Sequence, residues 1–177
     1  MNTDNIERYL DSFGKQVVNR SKGNLQRAGK GGKLEESIKF EVITTSEGFT
    51  VQLFMSSYGQ YVDKGVSGTK QKRTFKNYKG KVIATPYGYK NTKGHSQPPS
   101  SALDKWAVKK GLAPRDAKGR FMKRKTLTFL VARKIGRFGI QGISFFQKPL
   151  GLGLKEFGKD LLGNVKEDII NSLTTVK

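Results

Sequence analysis

The sequence predicts an α+β fold: a small antiparallel β-sheet packed by an N-terminal helix and further helices, with a long basic loop or arm. Three observations predict it. Residues 3–28 repeat apolar side chains at helical spacing, residues 38–55 alternate them at strand spacing, and residues 65–97 sustain neither period, within a stretch, 64–103, that contains no acidic residue.

The first segment places Ile6, Leu10, Phe13, Val17 and Leu25 on one stripe, with Thr3 or Asp4 positioned to cap its start. Such a stripe needs a surface to cover, and a sheet is the expected one. GKGGK at 29–33 cannot continue a helix cheaply and reads as a joint. It lacks the Walker spacing and follows no strand, so a phosphate loop is not expected there. Ile38, Phe40 and Val42 then alternate with Lys39 and Glu41, and Phe49, Val51, Leu53 and Met55 alternate with Thr50, Gln52 and Phe54. With Ser46-Glu47-Gly48 as the turn, this is a hairpin with one face covered.

Residues 57–63, SYGQYVD, suit a single helical turn before Gly65. The stretch 66–97 reads as a basic extended loop or arm, with short strands at 82–84 and within 73–78. Pro98-Pro99 stops it, and Ser101-Ala-Leu-Asp104 is a capping-box-like start with Asp in place of Glu. Leu103, Trp106, Ala107 and Leu112 give that helix an apolar face, and Gly111 ends it. Residues 113–124 form a second basic loop turning at Lys118-Gly119. From Thr126 to Phe138 a helix is expected with Leu127, Phe129, Leu130 and Ile135 inward, and Arg133, Lys134 and Arg137 where cations suit the dipole. A C-terminal amphipathic helix, within 152–177, places Phe157, Leu161, Leu162, Val165, Ile169 and Leu173 on one side. At 177 residues, a single domain over 1–177 is the expectation.

Charge is the most informative feature. Residues 1–63 carry eight Lys/Arg against eight Asp/Glu, residues 64–155 carry twenty-three against two, and residues 156–177 carry three against four. A net charge of +20 repels itself and weakens the compact state, so an anionic partner is expected opposite. Within the basic stretches Lys70, Lys72, Arg73, Lys76, Lys79 and Lys81, then Arg115, Lys118, Arg120, Lys123 and Arg124, are the candidate contact residues. Phe75, Tyr78, Tyr87 and Tyr89 lie among the lysines and can stack on bases or pack on a partner. No RNP, zinc-finger or helix-turn-helix pattern accompanies them, so any contact with DNA is expected to be backbone-directed and nonspecific.

Enzymatic chemistry finds little support. The one histidine, His95, sits in a Gly/Ser/Asn-rich loop, and there is no cysteine, HExxH or GxSxG pattern. No catalytic, cofactor or metal residue is expected, and the reading is a non-enzyme. The N-terminus has no signal-peptide pattern, and no apolar run approaches the length of a membrane span, so no membrane partner is expected. Trp106 and Phe145-Phe146 suit the core or a subunit interface better than a ligand platform.

Several segments, in this order, resemble bacteriophage neck and tail-completion (head–tail connector) proteins of the HK97 gp10-like group. Tyr58-Gly-Gln-Tyr61-Val-Asp63-Lys-Gly65 is similar to that family's Tyr-x-x-Tyr-Val-(acidic)-x-Gly element after the hairpin. Pro98 to Leu112 is similar to its Ala-Leu-x-x-Trp helix ending in a Lys-Gly pair, and Phe129 to Ile135, Gly139-Ile140 and Phe145-Phe146 to its Ala-Arg-x-Ile helix and the segment after it. The chain departs from the pattern in its long, very basic excursion between Gly65 and Pro98 and in its longer C-terminal helix.

The resemblance implies a structural virion protein, made in the host cytoplasm, that assembles with itself into a homo-oligomeric ring. That ring would sit among neighbouring connector and tail proteins around the DNA channel. On this expectation Tyr58, Tyr61, Trp106, Phe145 and Phe146 hold the core or the subunit interface, and the basic residues named above reach adjacent proteins or the DNA backbone. The alternative from the residues alone is a sequence-nonspecific nucleic-acid-binding protein of nucleoid or ribosomal type.

Overall fold

The computed structural model describes residues 4–45, 48–89 and 96–174, the side chains at positions 4, 159, 169 and 171–174 excepted. His95, the Ser46-Glu47 part of the expected turn and the Thr3 cap lie outside the described residues. The fold is α+β. In chain order it runs α1 (Asp4–Arg27), α2 (Lys33–Glu36), β1 (Lys39–Thr45), β2 (Gly48–Phe54), α3 (Gly59–Lys64), β3 (Gly65–Val66), β4 (Thr74–Lys76) and β5 (Val82–Ala84). A 3-10 turn (Ser100–Leu103), α4 (Asp104–Lys109), α5 (Arg124–Phe138), β6 (Ile140–Gln141) and α6 (Gln147–Thr174) complete it. The strands form two-stranded ribbons: β1 with β2, β3 with β6, and β4 with β5.

The chain divides into two compact units. The first comprises 1–63, 76–82 and 143–177; the second comprises 64–75 and 83–142. By sequence the second carries eighteen Lys/Arg against two Asp/Glu, and the first sixteen against twelve.

The first unit holds the hydrophobic core. Val18 and Leu25 of α1, Leu34 of α2, Ile38 and Phe145 are buried together, with Phe40, Leu53, Met55, Val62, Ile143 and Phe146 packed on them. The β1–β2 register pairs Val42 with Val51 and Phe40 with Leu53, so the apolar positions of the alternating pattern share one face. α1 also packs against α6. Phe157 stacks on Tyr9 at 5.4 Å between ring centroids and lies 5.1 Å from Phe13. Gly153 lets the two helices approach, because a β-carbon there would press on Phe13 and Val17.

Two buried carboxylates cap the long helices. Asp63, 2% exposed, accepts the backbone N–H of Phe146 at 2.8 Å and of Gln147 at 3.4 Å, which explains why α6 starts at Gln147 rather than near residue 152 as expected. Pro149 fits that first turn, where an amide hydrogen has no intrahelical partner. Asp168, 1% exposed, accepts from Asn5 Nδ2 at 2.8 Å and from the Ile6 backbone N–H at 3.1 Å, capping α1. Of the expected α6 stripe, Leu162 is 74% exposed; the packed side is set by Gly151, Gly153 and Phe157.

The second unit is held differently. Its buried apolar residues are the small Ala107 and Ala132 with Phe75. On α5, Thr128, Ala132 and Gly136 face inward, whereas Phe129 and Leu130, expected inside, are about half exposed. The reason is close approach: the Ser96 carbonyl and Gln97 lie against Gly136, so the inner face admits only small residues. The β3–β6 ribbon pairs Gly65 with Gln141 and Val66 with Ile140. Gly139 combines positive φ with backbone contact, since a β-carbon would strike the Val66 carbonyl and the Gly68 amide. Backbone amides of Thr69 and Lys70 bond to the carbonyls of Gly136 and Arg137, satisfying the end of α5.

Candidate functional site

The stretch 66–97, expected as an extended arm, is divided between the two units, and β3, β4 and β5 give its described part structure. Asn77 closes the β4–β5 turn: its amide bonds to the Lys81 carbonyl and its side chain accepts the Lys81 amide. In the first unit, that turn lies on α6 through Gly151, whose missing β-carbon makes room for the Tyr78 carbonyl, and through Gln147, which accepts the Tyr78 amide at 3.0 Å. Lys76, Lys148 and Lys155 border the cleft of about 240 Å³ left there, over a floor of Tyr78 and Leu152.

The second basic loop, 113–124, is wound around one carboxylate. Asp116 accepts the Lys118 and Arg120 amides at 2.9 Å each and the Arg120 guanidinium at 3.0 Å. The Arg120 amide is the largest cause that holds its carboxyl below the usual carboxylate range; burial opposes it as the next largest, and the Arg120 guanidinium and then the Lys118 amide add to the lowering. Arg115 pairs antiparallel with Phe121, covers its ring at 4.0 Å and donates to the Gly119 carbonyl at 2.8 Å.

The eleven predicted contact cations therefore separate by residue type. The four arginines are engaged within their own unit. Arg73 donates to the Phe138 carbonyl at 2.8 Å and to Gln141 at 3.4 Å, latching the end of α5. Arg115 and Arg120 shape the loop, and Arg124 pairs with Asp104 at 2.7 Å. The seven lysines, Lys70, Lys72, Lys76, Lys79, Lys81, Lys118 and Lys123, are all exposed and make no ion pair among the described residues. Lys79 lies over the Tyr78 ring at 5.7 Å. Guanidinium forks suit directed bonds to carbonyls and carboxylates, whereas ammonium groups present mobile point charges.

The five aromatic candidates also separate. Phe145 is fully buried in the core and Phe146 packs against it. Tyr58, Tyr61 and Trp106 are each more than 40% exposed and so are not core within the chain. Trp106 lies outside because α4 is only six residues long and buries Ala107 instead. Asp104 does not close the expected capping box; it pairs with Arg124, and no side-chain cap bond starts the 3-10 turn or α4.

Sequence reasoning missed the structural work of Asp63, although it lies at the acidic position of the Tyr-x-x-Tyr-Val-(acidic) element. It also missed Asp168, whose bond with α1 joins opposite ends of the chain and leaves no local signal. Among the described residues, no group of three His, Asp or Glu could hold a metal ion, and no helix is long and apolar enough to cross a membrane. Comparison with protein-family models, with curated proteins and with solved structures finds no match.

Proposed function

We propose that this chain is a structural, non-enzymatic virion protein of a tailed bacteriophage: a subunit of a head–tail connector or tail-completion ring around the DNA channel. The observation that carries the reading is the segregation of charge. One unit is close to balanced and holds the core and the buried carboxylates, while the other carries eighteen cations against two anions, with Lys70, Lys72, Lys118 and Lys123 exposed. A subunit with two such unlike surfaces suits heterologous contacts with copies of itself and with other anionic components of a particle. The order of the Tyr58–Gly65, Pro98–Leu112 and Phe129–Phe146 elements, similar to that of the connector family, adds to it. Tyr58, Tyr61 and Trp106 are large, exposed and amphipathic, the kind of residue enriched at interfaces.

The exposed lysines also favour the second reading, a nonspecific nucleic-acid-binding protein. Mass measurement and negative-stain imaging of the purified full chain, alone and with its genomic neighbours, separate the two. A closed ring is expected. A monomer that retards duplex DNA, with an affinity falling steeply as salt rises, would replace the ring by the second reading.

A further inference from the structure

Resting on the ring reading above, we propose that copies of this chain join head to tail, the basic cleft of one copy's second unit seated on the acidic groove of the next copy's first unit.

The cleft, of about 630 Å³, is lined by Ser100, Ser101, Asp104, Lys123, Arg124 and Lys125. Its cations stand at the wrong end of a helix. α5 begins at Arg124, its first turn has no acidic residue, and Lys123 at the cap position makes no side-chain cap bond. The positive end of the helix dipole and three neighbouring cations repel one another, and an anion opposite reverses the sign of that interaction. Asp104 answers Arg124 alone, leaving Lys123 and Lys125 exposed, with no ion pair among the described residues.

The groove lies between α1 and β1 of the first unit. Glu7, Asp11 and Glu41 line it, with Arg8 as the one cation of the lining and Lys15 beside it on Asp11, and with the partly buried Phe40 and Val42 among them. Glu7 is positioned by the Thr44 hydroxyl, which donates to it at 3.0 Å, and Asp11 by Lys15 at 2.6 Å. Glu41 is exposed and makes no ion pair among the described residues.

Exposed apolar residues decide between this occupant and a phosphate backbone. Phe129 and Leu130 follow Lys125 and Thr126 by one turn on α5 and are about half exposed. Phosphodiesters would leave them unmatched. A groove that interleaves carboxylates with Phe40 and Val42 matches both the charge and the apolar part. Because cleft and groove are different surfaces of one chain, the contact is heterologous and can close into a ring.

The test uses two full-length variants: Glu7→Lys with Glu41→Lys, and Lys123→Glu with Lys125→Glu, which spares the Arg124–Asp104 pair. Each is checked for a native melting transition, and Glu41→Lys alone and Lys123→Glu alone stand in for a double variant that fails to fold. Each variant by itself sets like charge against like charge, and its self-association is expected to weaken by about a hundredfold or more. An equimolar mixture places opposite charges across every contact between unlike variants, so association is expected to return at low salt, as closed rings where the copy number is even and as shorter alternating oligomers where it is odd. If both variants assemble as the wild type does, or the mixture stays monomeric, the interface is wrong and the ring reading stands. If the lysine variant loses binding to duplex DNA yet still assembles, the cleft serves a polyanion and the interface is again wrong. If the wild type never assembles, alone or with its neighbours, the ring reading and this interface fall together.

Discussion

The first unit buries Val18, Leu25, Leu34, Ile38 and Phe145 in one cluster and spends two carboxylates on capping helices; the second buries two alanines and one phenylalanine. In place of a core, the second unit relies on close backbone approach at Gly65, Gly136 and Gly139 and on arginines that bond to carbonyls or carboxylates. Packing of that kind tolerates a surplus of sixteen positive charges, because lysines can stay outside a thin scaffold while short residues meet inside it. The difference teaches that charge and core were separated along with the fold: the region that presents cations is the one with least apolar burial to oppose their repulsion.

The largest expected effect tests the carboxylate side of that contrast. Asp63→Ala strips the cap from α6 and leaves two amides without their acceptor, costing about 3 kcal/mol by chemical denaturation. Hydrogen exchange should rise first at the amides of 143–150 in the first unit. A loss of protection that starts instead in α5 would break the distinction drawn between the units.

Next is the backbone side. Gly139→Ala sets a β-carbon against the Val66 carbonyl and the Gly68 amide in a backbone conformation that disfavours any side chain, at about 2 kcal/mol. Its exchange signature should lie in β3, β6 and the end of α5. An unchanged melting curve would show that close approach at this ribbon contributes little.

The separation of arginine from lysine is sharpened by a matched pair of changes. Arg73→Ala should cost about 1 kcal/mol through the lost bonds to Phe138 and Gln141. Lys70→Ala and Lys72→Ala should each stay within about 0.5 kcal/mol of the parent. In a binding assay with polyanion the ranking should reverse, with the lysine changes weakening binding most. Equal effects on stability from all three would erase the division.

The smallest effects are local. Ser21 on α1 is fully buried, and its hydroxyl has no hydrogen-bond partner among the described residues, so Ser21→Ala should be neutral or stabilise by up to about 1 kcal/mol in a denaturant melt. In the second unit, the lowered carboxyl of Asp116 favours the wound loop above the ordinary aspartate range, and this contribution is lost as pH falls through the depressed value. The Lys118 and Arg120 amide resonances should therefore move together at acid pH, below the titration of an ordinary surface aspartate. Movement at the ordinary value would mean that the loop is not organised by that group.

The fold class, α1 and the β1–β2 hairpin were legible in the sequence, because Ile6, Leu10, Val17 and Leu25 recur at one period and Phe40, Val42, Val51 and Leu53 at another. Periodicity reports a face whenever one element covers a broad apolar surface. It misled at Phe129 and Leu130, because the buried side of α5 carries Thr128, Ala132 and Gly136 instead, the last of them against the backbone at Ser96 and Gln97, where only a small residue fits. It could not distinguish Arg73 from Lys72 either, since both are cations in one run and only the Phe138 carbonyl, brought near by the fold, tells them apart.

By itself the sequence determined the amount and placement of charge, the helical and strand periods and the positions where the chain must turn, because each of these is a property of neighbouring residues. Tertiary structure alone decided that Asp63 and Asp168 are buried caps, that arginines are latches while lysines face outward, and that charge is divided between two units. The two caps depend on which distant amides and carboxylates meet, and no local pattern encodes a partner eighty or more residues away; the Arg73 latch likewise waits on a carbonyl brought near by the fold.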